Sequence, residues 1–283
     1  MKKSFHTVKK AGILTAAAVL GTAALAGCGS KADTTESAAA SEEATEAVGE
    51  AEASDAQLVI AGGDSAGLIA AVQAAAEGMD PSKILILAPG EELAADVSEN
   101  REEAKDWLAD TLGMEYGDLT QEAGSSVARS FPAKEGNLNE LAQEALLKKV
   151  EELKIPVEYK AELKSVAYDE EGALDRITVT VDGKDQEIDC LALVATDVSL
   201  IPVFEESQVY EADGKAAALV VSNNAEQLNK DSGELINGLY AAGPILSAAV
   251  DCEGVLSGNE LTEAVVFGST AGTEAAVYVS DNQ

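Results

Sequence analysis

The residues best placed for chemistry lie in one stretch, Gln57 to Leu87, reading QLVIAGGDSAGLIAAVQAAAEGMDPSKILIL. An apolar run, Leu58-Val59-Ile60, ends at Gly62-Gly63; Asp64, Ser65, Ala66 and Gly67 follow, and a helix-forming run continues through Ala76. A second apolar run starts at Ile84. Strand, glycine turn, helix, strand is the βαβ unit, in which backbone N–H groups at the helix N-terminus form an anion site suited to a nucleotide pyrophosphate. In the spacing G-x-G-x-x-G the outer glycines are Gly62 and Gly67, and the middle position is Asp64. The middle glycine normally lets bare backbone approach the phosphates. A carboxylate there adds bulk and a like charge: two unit charges about 4 Å apart repel by roughly 4 kcal/mol at an effective dielectric of about 20, or about three decades in affinity. Aspartate is also a favoured helix N-cap. The preferred reading is that the Asp64 carboxylate takes the anion site in place of phosphate.

Other reactive side chains are scarce. The single histidine is His6, and beyond the first residues the arginines are Arg101, Arg129 and Arg176. No cationic clamp for an acidic substrate is legible, and no metal-ligand spacing occurs; scattered Asp and Glu read as a solvated acidic face. Cys190 lies in an apolar run and reads as a small buried hydrophobe. Cys252 lies among acids that disfavour a thiolate. The third cysteine, Cys28, closes Leu25-Ala26-Gly27-Cys28 after lysines at 2, 3, 9 and 10 and an apolar run from Ala11 to Ala26. That run is short for a membrane span. The arrangement resembles a bacterial lipobox, which predicts a signal peptide over residues 1–27, diacylation of Cys28, and an extracytoplasmic chain anchored to the membrane by lipid.

Charge narrows the partners further. With Lys+Arg 19 against Asp+Glu 51, the formal net charge of −32 repels nucleic acid and anionic headgroups. Residues 28–55 continue from Cys28 into an acidic Ala/Ser/Thr/Glu tether that cannot bury enough apolar surface to fold.

The folded region is predicted over residues 56–283. Ile84-Leu85-Ile86-Leu87 reads as a doubly buried parallel strand. Helical patterns follow over Glu91–Leu112, with Trp107, Leu108 and Leu112 in register, and from Asn137 to Val150. Short strands are expected at Val157–Tyr159, Leu163–Tyr168, Ile177–Val181 and Glu187–Ile188, forming a meander with turns at Asp169–Gly172 and Asp182-Gly183. Cys190–Ala195 is another buried strand; a loop-like segment leads to strands at Leu219–Val221 and Leu239–Ala242. A closing helix is expected from about Asn259 to Tyr278.

In this order the residues carry a resemblance. Ile236–Gly243 (INGLYAAG) followed by Ser257–Gly272 (SGNELTEAVVFGSTAG) resembles the C-terminal signature of the fumarate reductase/succinate dehydrogenase flavoprotein family. The helix, meander and strand of Asn137–Thr196 resemble the family's middle portion, and Gly62 its N-terminal fingerprint. The resemblance implies an α/β, Rossmann-like FAD-binding fold with a parallel sheet and a small antiparallel meander. It also implies FAD contacts at Gly62, Gly63, Ser65, Ala66, Gly67, Leu163, Ala195, Thr196, Gly243, Gly258, Asn259 and Leu261. Departures weaken the implied function. Only some twenty residues separate Thr196 from the segment resembling the last strands, which leaves no room for the family's capping domain. Ala88 stands where a ribose-binding acid is expected, Asp197 replaces a glycine after Ala195-Thr196, Pro244 replaces a glutamate, and Val255 an arginine. FAD is therefore expected to be held weakly or lost, and no catalytic residue is assigned. Two readings stay open: a non-catalytic, lipid-anchored binding module that partners another extracytoplasmic redox protein, or an electron-transfer flavoprotein with an altered cofactor mode.

Overall fold

The computed structural model describes residues 55–91, 93, 102–121, 128, 131–212, 214–246 and 260–283. The chain divides into two units, Met1–Thr45 and Glu46–Gln283, and all described residues belong to the second. The leader, Cys28, most of the tether, Arg101, Arg129, Cys252, Val255, Gly258 and Asn259 lie outside the described residues.

The first strand, β1 (Leu58–Ala61), is buried along its whole length, as is β2 (Ile84–Ala88). Both are nearly continuous aliphatic runs because both faces of a parallel sheet are covered. Between them α1 (Ser65–Ala76) is built almost wholly of small residues and buried nearly all round, as a helix held between a sheet and other helices must be. Among the described residues three further α-helices follow in chain order: α2 (Glu102–Leu112), α3 (Leu138–Leu153) and α4 (Glu260–Asp281). The strands β3 (Val157–Tyr159), β4 (Ala161–Tyr168), β5 (Leu174–Val181), β6 (Lys184–Asp189) and β7 (Ala192–Ala195) come between α3 and α4, followed by β8 (Val209–Ala212), β9 (Lys215–Leu219), β10 (Glu226–Leu228) and β11 (Leu235–Ala241).

The main sheet has the order β10-β11-β7-β1-β2-β3 and is parallel except for β10 against β11. Its two faces bury different partners. Leu58, Ile60, Ile84, Ile86 and Val194 point to the helical side with α1, α3 and α4. Val59, Leu85, Leu87, Leu193 and Ala195 point to the other side, against the antiparallel meander β4-β5-β6. The alternation of inward side chains along each strand thus produces three layers: helices, parallel sheet, meander.

Helix α4 lies against α1 through glycines. A methyl group on Gly268 would come within 2.8 Å of the Ala66 carbonyl oxygen, and one on Gly272 within 2.3 Å of the Ala70 carbonyl oxygen. The two backbones are therefore nearly in contact. The side-chain amide of Gln73 ties three helices together: its Oε1 accepts the Trp107 indole N–H at 2.8 Å, and its Nε2 donates to Thr273 Oγ1 at 3.1 Å and to Glu77 at 2.8 Å.

Two assignments from the sequence need correction. Val157–Tyr159 does not belong to the meander; it pairs in parallel with β2 at the edge of the main sheet, Ile86 opposite Val157. Its three residues are too few to show which sheet they join. The segment after Thr196 is not loop throughout. It forms a short 3₁₀ helix, Val198–Val203, and the hairpin β8-β9. Alanines at 216–218 hid the alternation, although the dipeptide Asp213-Gly214 is a hairpin-turn signal in the sequence.

Candidate functional site

The candidate residues converge at the carboxyl ends of β1, β2 and β7, where successive strands leave β1 on opposite sides. In open α/β sheets this switch point is where ligands bind. Gly62 leaves β1 with φ +142°. A methyl group there would fall 1.8 Å from Thr196 Oγ1, so only glycine can follow β1 at this contact. Gly67 lies over the Gly62 carbonyl, 2.3 Å from the place its own methyl would take, and that holds the first turn of α1 against the end of β1. Gly243, with φ +66°, brings the turn after β11 onto Ala66, whose methyl would meet a Gly243 methyl at 2.4 Å. Gly63 abuts Ala88, which is fully buried.

Asp64 is the N-cap of α1. Its backbone is extended, and its Oδ1 accepts the Gly67 N–H at 3.0 Å. The residue as a whole is half-buried, and the carboxyl is its desolvated end. Burial pushes this carboxyl above the usual carboxylate range, with the charge of Asp197 acting the same way; the Gly67 N–H, the Thr196 hydroxyl and the Ala66 N–H pull in the other direction without prevailing. Thr196 Oγ1 is fully buried and has no hydrogen bond of accepted geometry, although it is close enough to Asp64 to favour its charge. Thr196 acts on Asp64 as a nearby dipole rather than a bonded partner.

In front of Gly62 opens a cleft of about 270 Å³. Its walls come from the ends of β1 and β2 on one side, from Ala161, Glu162 and Leu163 of β4 on the second, and from Asp197 and the 3₁₀ helix on the third. Asp197 caps that 3₁₀ helix, its Oδ1 accepting the Ser199 N–H at 2.8 Å.

The structure thus brings Gly62, Gly63, Ser65, Ala66, Gly67, Ala195, Thr196 and Gly243 together, with Leu163 across the cleft. Leu261 falls in α4. Asp197, Ser199, Leu200 and Val203 line the cleft without having been singled out as site residues. The usable signal was Asp197-x-Ser199, an aspartate capping the N–H two residues on. Away from the cleft, Glu91 pairs with Lys160 at 2.8 Å, and Arg176 is half-exposed among Asp175, Glu187 and Asp189. Among the described residues no cluster of three or more His, Cys, Asp or Glu could hold a metal ion, and no helix is long and apolar enough to cross a membrane.

This geometry defines a Rossmann-like α/β fold, shared with solved flavoproteins. Solved structures similar to the chain include the open conformation of a flavocytochrome c3 fumarate reductase (TM-score 0.60, 11% identity, covering 79% of this chain and 78% of that one). A 3-ketosteroid-Δ4-(5α)-dehydrogenase from Rhodococcus jostii RHA1 is similar over 78% of this chain and 96% of its own (TM-score 0.56, 13% identity). A flavoprotein/dehydrogenase from Cytophaga hutchinsonii matches over 80% and 79%, with TM-score 0.53 and 10% identity. No protein-family model and no curated protein matches the sequence.

Proposed function

We propose that this chain is a lipid-anchored, extracytoplasmic binding module on an FAD-binding oxidoreductase scaffold, with its phosphate site taken by its own Asp64 and with no catalysis. One observation carries the reading: the N–H of Gly67, a donor at the N-terminus of α1, is already bonded to the Asp64 carboxylate at 3.0 Å. A dinucleotide phosphate would have to displace that carboxylate and bear its charge. Other features argue the same way. Ala88 offers no carboxylate to a ribose, and the cleft of about 270 Å³ lies at the lower edge of the ~300–1,000 Å³ usual for ligand pockets. The residues present do not fit FAD in its ordinary mode. The lipid anchor rests on the Leu25–Cys28 box and the basic, apolar leader.

A second reading keeps the flavin. The close packing at Gly62, Gly67 and Gly243 preserves the backbone path such a cofactor uses, which favours an electron-transfer flavoprotein that binds FAD in a shifted pose. The visible spectrum of the purified chain, with a thermal scan in the presence of FAD, separates the two. A colourless protein whose Tm is unmoved by FAD agrees with the binding module. Flavin absorbance near stoichiometric amounts, or a rise in Tm with FAD, overturns it.

A further inference from the structure

We propose that the cleft in front of Gly62 takes a small organic cation, an ammonium group on an apolar body, with Asp197 as its charge partner. This rests on the reading above, that Asp64 and not phosphate holds the α1 N-terminus. The cleft opens at the switch point of the sheet. Leu87, Pro89, Leu163, Leu200 and Val203 make its body apolar. Among the described residues, its charged lining groups are both acids, Glu162 and Asp197. Glu162 is paired with Lys164, which does not line the cleft. Asp197 is not compensated in this way: one of its carboxylate oxygens accepts the Ser199 N–H, and among the described residues the other has no partner.

Behind Gly62, outside the lining of the cleft, the Asp64 carboxylate holds the Gly67 N–H, and its charge acts in the same sense. An uncompensated carboxylate at the edge of an apolar hollow repels phosphates and carboxylates. A donor-rich positive group is the complement, since an ammonium carries three N–H donors and no acceptor. At ~30 Å³ for each water-sized unit, about 270 Å³ has room for roughly nine heavy atoms. A short alkylammonium fits this volume and complements the charge.

The test titrates the full chain by calorimetry at physiological salt with three probes sharing one apolar body: hexylammonium, hexan-1-ol and hexanoate. Hexylammonium is expected to bind one to one, at least tenfold more tightly than hexanol, with hexanoate silent. Asp197→Asn keeps an oxygen to cap the 3₁₀ helix and removes the charge; it should weaken hexylammonium at least tenfold. Glu170→Gln, at an exposed turn, should change nothing. Hexylammonium no tighter than hexanol, indifference to Asp197→Asn, or an equal loss with Glu170→Gln (which would mean diffuse attraction to an acidic surface) each overturns the proposal. FAD thermal shifts on the same sample keep the two readings apart. No amine binding and no FAD binding defeats this inference alone; FAD binding defeats the proposed function on which it rests.

Discussion

Replacing Asp64 by glycine should restore phosphate affinity at the N-terminus of α1. In the native chain the carboxylate accepts the Gly67 N–H at 3.0 Å, so an incoming phosphate must approach to within about the same distance of that donor. A residual charge about 4 Å from phosphate costs roughly 4 kcal/mol at an effective dielectric of about 20, or about three decades in Kd. The offsetting loss is small, because glycine at an N-cap costs only a few tenths of a kcal/mol relative to aspartate. Relief of a desolvated carboxyl acts in the stabilising direction. Asp64→Gly should therefore bind ADP about a thousandfold more tightly than the native chain at pH 7, with Tm changed by no more than a few degrees. Calorimetric titration with ADP and a thermal scan of both proteins measure this. If Asp64→Gly binds ADP within threefold of the native chain while remaining folded, charge at this turn is not what excludes phosphate.

The raised pKa of Asp64 also predicts a pH dependence of stability. Between the ordinary value of 3.8 and the raised folded value, the native state binds more protons than the unfolded state, so stability falls as pH rises through that window and the penalty is complete above it. Urea unfolding of Asp64→Asn against pH should lack this component. Gly272→Ala places a methyl group 2.3 Å from the Ala70 carbonyl and should force α1 and α4 apart; overpacking of this kind costs about 1–3 kcal/mol, read as a lower urea midpoint at unchanged slope. Trp107→Phe deletes the 2.8 Å bond to Gln73 and should cost about 1 kcal/mol in the same assay. Burial pushes the Cys190 thiol up to about 12, so iodoacetamide should leave its peptide unmodified in the native chain at pH 8 and label it fully in urea, as mass spectrometry would show.

Much of the scaffold was legible because it depends on short-range rules. The aliphatic runs at Leu58–Ala61 and Ile84–Ala88 can only be strands covered on both faces, and they pair as parallel neighbours. Gly62, Asp64 and Gly67 mark a strand-to-helix turn and its cap within six residues. The meander declared itself through alternation over Ile177–Val181, within the observed strand Leu174–Val181, and a turn at Asp182-Gly183. Where local signals were weak, the reading slipped: Val157–Tyr159 was too short to reveal its sheet, and the alanines of β9 have no alternation to read.

Chain order alone determined that an acid stands where phosphates would need bare backbone. Tertiary structure decided what surrounds that acid. Thr196 and Asp197 reach the Gly62 turn because β7 pairs directly with β1, Ala61 opposite Ala195, across more than a hundred residues of intervening chain. Leu163 faces the same cleft because the meander packs over the sheet, and Gly243 touches Ala66 because β11 ends beside β7. Backbone preference and hydrophobic period act over a few residues, whereas desolvation, like-charge proximity and the shape of a cleft belong to groups that only the packed layers bring together.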